Sequence, residues 1–420
     1  QGGREHALVW KLAQSPRVSR LYCAPGNAGI AELATCVPIS ETDLDGLVRF
    51  AKEEGIDLTV VGPEAPLVAG LVDRFEAEGL RVFGPRKEAA MLEGSKAFAK
   101  EIMSKYGIPT AQYQSFEDYD EALRYVREHG APIVLKADGL AAGKGVTVAQ
   151  TLEEAEAALE RMMKDKVFGE AGKRVVVEEF LQGQELSLMA FVDGETVLPM
   201  VPVQDHKPVF DGDKGPNTGG MGTYSPTPQL PQSVIEESVE RILKPVAKAM
   251  VAEGKPYRGV LYGGLMVTAE GPKVIEFNAR FGDPETQVVL PRLETDLLEV
   301  LEAVVDGRLA KVNLTWRKEA AICVILASEG YPGTYPKGRV IQGLFSPEEQ
   351  QQRGVFLFHS GTARENGRWL TNGGRVLGVT ALGQDLAAAR DKAYQAIEGI
   401  HFEGMHYRRD IGLRGLKEEI

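Results

Sequence analysis

The chain has 420 residues, of which 43% are hydrophobic and 26% are charged, and its formal net charge at pH 7 is −12. This length exceeds what one hydrophobic core supports and predicts roughly two to four domains of an ordinary globular protein. The acidic balance argues against a nucleic-acid-binding surface, which needs a basic face, and no apolar run reaches the roughly 18 residues of a membrane-spanning helix.

The first 92 residues alternate between helical and strand patterns, which predicts a parallel sheet with helices on both faces. The predicted helices cover residues 5–14, 42–54 and 66–78, and the predicted strands cover residues 21–24, 56–61 and 80–83. Residue 5 follows a glycine turn of the kind that normally follows a strand, so a further strand is expected before it. Ligands bind at the carboxyl ends of such strands, where two loops fall: Gly26-Asn27 and Gly62-Pro63-Glu64.

The middle of the chain mixes helical and strand patterns. Helices are predicted at residues 95–106, 116–129, 151–164 and 233–253, and strands at 133–137, 146–149, 175–180, 259–267 and 274–278. Capping boxes are predicted at Ser115/Asp118 and Thr151/Glu154. Residues 204–225 are rich in glycine and lack an apolar period, so we predict an ordered binding loop there.

From about residue 320 strands dominate, and the pattern predicts a separate α+β domain. Its predicted strands cover residues 321–327, 355–359 and 375–380, and one helix is predicted over residues 385–400. The whole chain has few, widely spaced cysteines, which indicates a reducing cytoplasmic location rather than a disulfide framework: Cys23, Cys36 and Cys323.

Two polar side chains at the end of the strand at 274–278 form a candidate metal site. Glu276 and Asn278 are two residues apart, so in a strand they project to the same face. A carboxylate and an amide oxygen are hard ligands that suit Mg²⁺, especially Mg²⁺ already bound to phosphates. The alternative is a solvated strand end with surface ion pairs.

A glycine-rich loop between two predicted strands forms a candidate phosphate site. In Gly143-Lys144-Gly145 the backbone N–H groups can approach phosphate oxygens, although a plain β-turn is an equal alternative. Lys136 lies in the preceding apolar strand. Because a buried, unpaired ammonium is costly, Lys136 requires an anionic partner, which is either a glutamate or a phosphate.

The strand at 175–180 ends in an extended segment whose backbone can pair with an adenine edge. Phe180 and Leu181 would form apolar walls, and Glu185 could accept ribose hydroxyl groups. Glu178 and Glu179 complete this hinge, although two glutamates at a strand end are more commonly solvated.

The order of these features resembles the ATP-grasp family. Lys96 on a helix is followed by the Lys136 strand, the glycine loop, the Glu178 hinge and the Glu276/Asn278 strand. Longer motifs resemble the glycinamide ribonucleotide synthetase (phosphoribosylamine–glycine ligase) family within it. These motifs are residues 132–146 (PIVLKADGLAAGKGV), 204–207 (QDHK), 215–222 (GPNTGGMG), 280–287 (RFGDPETQ), 2–7 (GGREHA) and 372–376 (NGGRV).

This resemblance implies an amino-terminal α/β domain (1–92), an ATP-grasp domain (93–319, with a lid subdomain at about 113–182) and a carboxy-terminal α+β domain (320–420). It implies an ATP-dependent ligase that uses Mg²⁺ or Mn²⁺. The enzyme would join glycine to 5-phosphoribosylamine through a glycyl phosphate, giving glycinamide ribonucleotide, ADP and phosphate in de novo purine synthesis. The unstable amine could be handed over transiently by the enzyme that makes it.

The resemblance also implies residue roles. The lysines contact phosphates, the hinge binds adenine and the Glu-x-Asn strand holds the metal. Arg280 would grip the glycine carboxylate or the transferred phosphate, its alternative being a salt bridge to Asp283 or Glu285. Asp205 and Lys207 would meet the glycine ammonium and the acyl phosphate. The other implied substrate-binding residues are Gly26, Asn27, Gly62, Pro63, Glu64, Asn217, Thr218, Gly219, Gly220 and Asp283.

Three other functions compete with this one. Another ATP-grasp ligase or carboxylase would use bicarbonate or a different amino acid. A dinucleotide oxidoreductase would need a G-x-G-x-x-G turn, and the sequence Gly2-Gly3-Arg4 does not provide it. A nucleotide sensor would not need two further substrate loops or an additional domain.

Overall fold

The computed structural model describes residues 1–141 and 144–417. Its amino-terminal part contains strands that pair in parallel, β1 with β2 and β3 with β4, as the sequence pattern predicts. The elements are α1 (Gly3–Leu12), β1 (Tyr22–Cys23), β2 (Thr35–Cys36), α2 (Leu44–Glu53), β3 (Thr59–Val60), α3 (Glu64–Ala69), α4 (Leu71–Ala77), β4 (Val82–Phe83) and α5 (Lys87–Gly94). The helix predicted at 66–78 is divided into α3 and α4, because Gly70 between them has a left-handed φ of 92°.

The next segment forms an antiparallel sheet with the strand order β5-β8-β6-β7, packed against helices. The elements are α6 (Lys96–Tyr106), β5 (Tyr113–Phe116), α7 (Tyr119–His129), β6 (Ile133–Ala137), β7 (Val146–Ala149), α8 (Leu152–Met163) and β8 (Val175–Glu179). The capping box predicted at Ser115 is wrong, because that residue lies in β5. Asp118 caps α7 instead and accepts a hydrogen bond from Glu121 N at 3.0 Å. The predicted cap at Thr151 is confirmed.

A second antiparallel sheet has the strand order β10-β9-β15-β16, and its last strand carries the candidate metal ligands. A π-helical segment, Val239–Leu243, separates α9 from α10 within the predicted long helix. The elements are β9 (Gln184–Asp193), β10 (Thr196–Pro199), β11 (Gln204–Asp205), β12 (Pro208–Phe210), β13 (Lys214–Asn217), β14 (Gly222–Ser225), α9 (Gln232–Ser238), α10 (Lys244–Ala252), β15 (Arg258–Thr268), β16 (Gly271–Asn278), α11 (Thr286–Arg292) and α12 (Leu297–Val305).

The carboxy-terminal part contains a five-stranded sheet with the order β11-β14-β17-β22-β19 and a three-stranded sheet with the order β18-β21-β20. The elements are β17 (Ala320–Ala327), β18 (Val340–Ile341), α13 (Pro347–Arg353), β19 (Val355–His359), β20 (Thr362–Glu365), β21 (Arg368–Thr371), β22 (Arg375–Gly383) and α14 (Leu386–Glu398). The glycine-rich segment 204–225 is therefore not a loop without strands. It adds β11 and β14 to the carboxy-terminal sheet, and β12 pairs with β13 as a hairpin.

Buried apolar clusters join the parts of the molecule. One cluster contains residues of α4, α5, α6 and α10 together with the sheet that carries β16, and a second joins α1, α11 and α12 to β17 and β19. Within the described ranges, every helix is too short or too polar to cross a bilayer.

Candidate active site

A cleft between the sheet of β6 and β8 and the edge strand β16 collects the predicted nucleotide residues. Its lining includes Lys96 at the start of α6, Lys136 on β6, Glu178 on β8, and Glu276 and Asn278 on β16. Strand β6 is buried along its whole length, so its lysine enters the cleft from an apolar strand. The structure therefore brings together five side chains from four separate segments of the sequence.

The partner of Lys136 is a glutamate. Glu178 places one carboxylate oxygen 3.0 Å from Lys136 Nζ and the other 3.0 Å from Lys100 Nζ. Lys136 Nζ also donates to Ile275 O at 2.8 Å, and Lys100 Nζ donates to Thr110 Oγ1 at 2.7 Å. Sequence reasoning did not find Lys100, although it lies one helical turn after Lys96 and thus on the same face of α6.

Replacing Lys100 by methionine is expected to lower the melting temperature and to weaken ADP binding. Lys100 is buried, its pKa is lowered by that burial to about 8, and it still carries charge at neutral pH. Truncating one member of a buried ion pair costs about 3–5 kcal/mol when the other charge is left unpaired, and less here because Glu178 keeps Lys136 at 3.0 Å. Thermal melts with and without ADP measure both effects.

The matched control for this experiment is Lys105→Met on the same helix. Lys105 pairs with Glu253 at 2.7 Å on the surface, and such exposed pairs contribute about 0–1 kcal/mol. Equal melting temperatures for the two variants would show that the buried pair contributes no more to stability than the surface pair.

Glu276 and Asn278 provide the carboxylate and amide oxygens that a phosphate-held Mg²⁺ or Mn²⁺ takes. Burial alone would raise the pKa of Glu276, but the ammonium groups of Lys207, Lys136 and Lys96 lower it below its ordinary value, so the carboxylate is ionised. Among the described residues there is no group of three or more His, Cys, Asp or Glu side chains that could hold a metal by themselves. This donor set therefore fits a metal that takes its other ligands from phosphate and water.

Lys207 stands among several carboxylates beside Glu276. Its Nζ lies 3.8 Å from Glu276 Oε1. Burial would lower its pKa, but Glu185, Glu276 and Asp205 raise it above the ordinary value, so Lys207 stays protonated. Glu185 thus lies close to Lys207, although the sequence placed it only at the ribose.

Asp205 is buried on β11 beside a second buried carboxylate, Glu285. Burial and the charge of Glu285 raise the pKa of Asp205 well above its ordinary value. Glu285 accepts a hydrogen bond from the Tyr262 hydroxyl at 2.5 Å, and that hydroxyl lies 2.8 Å from Ser187 Oγ. In the sequence Glu285 is predicted only as an alternative salt-bridge partner of Arg280.

Replacing Glu285 by glutamine is expected to move the acid limb of the pH profile of kcat/KM for glycine to lower pH. The negative charge of Glu285 raises the pKa of Asp205, so its removal lowers that pKa and leaves Asp205 ionised to a lower pH. The profile is measured for the wild type, for Glu285→Gln and for Glu294→Gln, an exposed glutamate that serves as control. An acid limb that stays in place in Glu285→Gln would rule out this coupling.

Arg280 is held by two glutamates of the amino-terminal part. Its Nη2 lies 3.1 Å from Glu93 Oε2, and its Nε lies 3.3 Å from Glu64 Oε2. The alternative prediction, a salt bridge from Arg280 to Asp283 or Glu285, is therefore wrong. Glu93 also accepts a hydrogen bond from Ala279 N at 2.8 Å, so it fixes the backbone beside Asn278. The sequence offered no signal for Glu93, a glutamate within an ordinary helical pattern.

Asp283 belongs to a junction of three parts of the chain. It accepts hydrogen bonds from Gln287 Nε2 at 2.7 Å and from Arg4 N at 3.3 Å. Arg375 Nη2 lies 3.8 Å from its carboxylate, and the guanidinium groups of Arg375 and Arg4 hold the pKa of Asp283 below its ordinary value despite burial. The sequence motif at 372–376 includes Arg375, but no role was predicted for this arginine.

The predicted substrate loops lie at the same junction. Asn27 Nδ2 donates to Gln1 O and His359 O at 2.8 Å each, so this side chain ties the amino-terminal part to the carboxy-terminal part. Gly26 has a left-handed φ of 77°. A side chain at Gly62 would collide with the carboxylate of Glu5. Pro63 precedes α3, which begins at the Arg280 partner Glu64.

The hinge residues are divided between two environments. Glu178 is buried in the cleft, whereas Glu179 is exposed and accepts a hydrogen bond from Gln112 N at 2.9 Å. Phe180 and Leu181 are half-buried just beyond β8. In the glycine loop, Gly145 lines the cleft and Lys144 is exposed, and Gly143 lies outside the described residues.

Comparison with protein families accounts for nearly the whole chain. Residues 1–93, 94–286 and 321–414 match the N domain, the ATP-grasp domain and the C domain of phosphoribosylglycinamide synthetase. The chain belongs to the phosphoribosylglycinamide synthetase family. The resemblance to this family and to the ATP-grasp fold is thereby confirmed, and the ATP-grasp domain implies use of ATP.

Individual synthetase relatives agree with this assignment. The chain is 56% identical over 417 residues to a phosphoribosylamine–glycine ligase of Halalkalibacterium halodurans, covering 99% of this chain and 96% of the relative. It is 54% identical over 421 residues to the ligase of the same name from Vibrio cholerae, covering 100% of this chain and 97% of the relative.

Solved structures extend the comparison to the fold. The crystal structure of phosphoribosylamine–glycine ligase from Thermotoga maritima matches with a TM-score of 0.81 at 37% identity, covering 98% of each chain. A biotin carboxylase domain of 2-oxoglutarate carboxylase from Hydrogenobacter thermophilus matches with a TM-score of 0.76 at 17% identity, covering 97% of this chain and 90% of that one. The second likeness shows the multidomain ATP-grasp fold alone.

Proposed function

We propose that this synthetase-family protein joins glycine to 5-phosphoribosylamine in an ATP-dependent reaction that yields glycinamide ribonucleotide, ADP and phosphate in de novo purine synthesis. The observation that carries the proposal is the cleft in which Glu276 and Asn278 face Lys96 and Lys136, with Lys207 3.8 Å from Glu276. It lies in a chain that matches all three domains of the family.

The chemistry requires activation of the glycine carboxylate, because a carboxylate is a poor electrophile for an amine at neutral pH. Transfer of the γ-phosphoryl group of ATP to a carboxylate oxygen gives glycyl phosphate and ADP. The amine of phosphoribosylamine then attacks the carbonyl carbon, the bond to the phosphate oxygen breaks, and the amine loses a proton. Phosphoryl transfer depends on positioning and charge stabilisation, which the protein's cations provide.

Glu276 and Asn278 would hold Mg²⁺ or Mn²⁺, which when bound supplies positive charge to the phosphate oxygens. Lys96, Lys136 and the glycine loop with Lys144 and Gly145 would bind the phosphates. The backbone from Glu178 onward would take the adenine, with Glu185 near the ribose. Residues 113–182 would form the lid subdomain over this nucleotide, between domains at 1–92, 93–319 and 320–420.

Arg280, Asp205 and Lys207 are assigned to glycine. Arg280 would orient the glycine carboxylate or the transferred phosphate, because Glu64 and Glu93 fix its guanidinium at the edge of the cleft. Asp205 would accept the glycine ammonium, and Lys207 would stabilise the acyl phosphate.

Phosphoribosylamine is assigned to the three-part junction. Backbone N–H groups at loop and helix starts suit its phosphate. The residues assigned to this substrate are Gly26, Asn27, Gly62, Pro63 and Glu64. Asn217, Thr218, Gly219, Gly220 and Asp283 are proposed as substrate-binding residues without a choice between the two substrates. A cytoplasmic location and a transient hand-over of this short-lived amine belong to the same proposal.

ADP release tests the function directly. It is measured with glycine alone, with glycine and phosphoribosylamine generated in situ from ammonia and ribose 5-phosphate, and with bicarbonate. Release that requires both glycine and the amine is the expected result. Release with bicarbonate alone would contradict the proposal and indicate a carboxylase. The chain shares its fold with a biotin carboxylase domain at 17% identity.

A further inference from the structure

The turn at residues 218–220 is held on two sides by the carboxy-terminal part of the chain. Gly219 N donates a hydrogen bond to the Tyr331 hydroxyl at 3.1 Å. Arg375 Nη1 donates to Gly220 O at 3.3 Å. A Cβ at Gly219 would lie 3.0 Å from Arg375 Cζ, so glycine at this position permits the close approach of the guanidinium.

The same turn supports the residues assigned to glycine. Thr218 N and Thr218 Oγ1 both donate to Lys207 O, at 2.8 and 2.7 Å, and Thr218 Oγ1 accepts from Gly220 N at 2.9 Å. A Cβ at Gly220 would lie 2.8 Å from Asp205 Oδ1. The turn therefore fixes the Lys207 backbone and packs directly against the Asp205 carboxylate.

Arg375 links this turn to a second loop of the site. Its Nη1 also donates to Asp283 O at 3.1 Å, and its Nη2 lies 3.8 Å from the Asp283 carboxylate. Arg375 is the first residue of β22, a strand in the middle of the carboxy-terminal sheet. One guanidinium thus joins that sheet to the loops that carry Gly220 and Asp283.

We infer that Arg375 and Tyr331 are positioning residues, through which the carboxy-terminal sheet holds Asp205 and Lys207 in place for glycine and its activated carboxylate. The inference rests on the proposed function, because it takes over the assignment of Asp205 and Lys207 to glycine. Glycine offers few atoms for binding, so a displacement of about 1 Å in these groups can lower the rate by about 100-fold.

The test compares Arg375→Met and Tyr331→Phe with the wild type in steady-state kinetics. In Arg375→Met, KM for glycine is expected to rise about tenfold, the equivalent of one lost hydrogen bond, and kcat is expected to fall. KM for ATP stays unchanged. Tyr331→Phe, which removes only the acceptor of Gly219 N, shows the same pattern more weakly, and Arg375→Lys recovers part of the loss.

Arg339→Met is the matched control. Arg339 is another arginine of the carboxy-terminal part, where its Nη1 donates to Glu329 Oε2 at 2.8 Å and to Glu403 O at 2.9 Å. Its replacement by methionine is expected to leave all kinetic constants unchanged. Should Arg375→Met fail to fold, Tyr331→Phe and Arg375→Lys still carry the test, because both keep most of the buried contacts.

Several outcomes would overturn the inference. A rise in KM confined to phosphoribosylamine would mean that Arg375 touches that substrate, and an equal rise in KM for ATP would indicate general damage. Lys207→Met and Asp205→Asn distinguish a failure of the proposed residue roles from a failure of the positioning inference alone. If neither changes glycine kinetics, the proposed residue roles fail; if both do and the Arg375 and Tyr331 variants do not, only the positioning inference fails.

Discussion

Replacing Glu276 by glutamine lowers kcat by at least about 100-fold, as expected when a metal-holding or charge-stabilising group is removed. Glutamine keeps the size of the side chain and one oxygen, but it removes the negative charge that Lys207, Lys136 and Lys96 surround. The three ammonium groups then lose the Glu276 carboxylate, and a metal at this position loses its charged ligand, although Lys136 keeps Glu178 and Lys207 keeps Glu185 and Asp205. Steady-state turnover at saturating ATP, glycine and Mg²⁺ measures the effect.

Glu270→Gln is the control for this variant. Glu270 lies in the turn before β16, is 81% exposed and pairs with Lys273 at 3.4 Å, so its replacement is expected to leave kcat unchanged. Glu276→Gln with near-native kcat at the Mg²⁺ concentration that just saturates the wild type would refute the ligand role. A normal kcat reached only at raised Mg²⁺ would instead reduce Glu276 to an affinity determinant.

The parts of the fold that could be predicted are those whose local pattern and tertiary environment agree. Strands β6, β7 and β19 occur at the predicted residues, because each is a short apolar run between Gly, Pro or polar residues. Strands β11 and β14 were missed. They contain Gly, Ser, Thr, Gln and Asp, and they form because β14 pairs with the fully buried strand β17. A partner about 100 residues away leaves no local signal.

The same distinction applies to the site. Glu276, Asn278 and Lys136 could be found because their polarity conflicts with an apolar strand, and such conflicts mark functional positions. Lys100 and Glu93 could not, because each is a charged residue in an ordinary helical pattern whose burial depends on a distant partner. For Arg280 the resemblance implied a role at the glycine carboxylate or the transferred phosphate, and the alternative salt bridge named only neighbours in the chain, not the partners on α3 and α5.

Replacing Lys207 by methionine is expected to lower kcat by about 100- to 1000-fold, the range seen when one donor to a developing negative charge is removed. Lys207 is protonated throughout the neutral range, because nearby carboxylates raise its pKa. Methionine retains the apolar stem and removes the charge. Lys207→Arg keeps the charge with a different geometry and should give an intermediate kcat.

A pH profile separates the two ways in which Lys207 can act. Of the charges that lower the pKa of Glu276, Lys207 is the largest, so its removal raises that pKa and moves the acid limb of kcat to higher pH. Lys214→Met, which removes an exposed lysine from β13, serves as the control and should change neither kcat nor the profile. If turnover of Lys207→Met returns fully at higher pH and saturating Mg²⁺, Lys207 acts only by keeping Glu276 ionised. A loss that persists there places its charge on the acyl phosphate, as the geometry of the cleft leads us to expect.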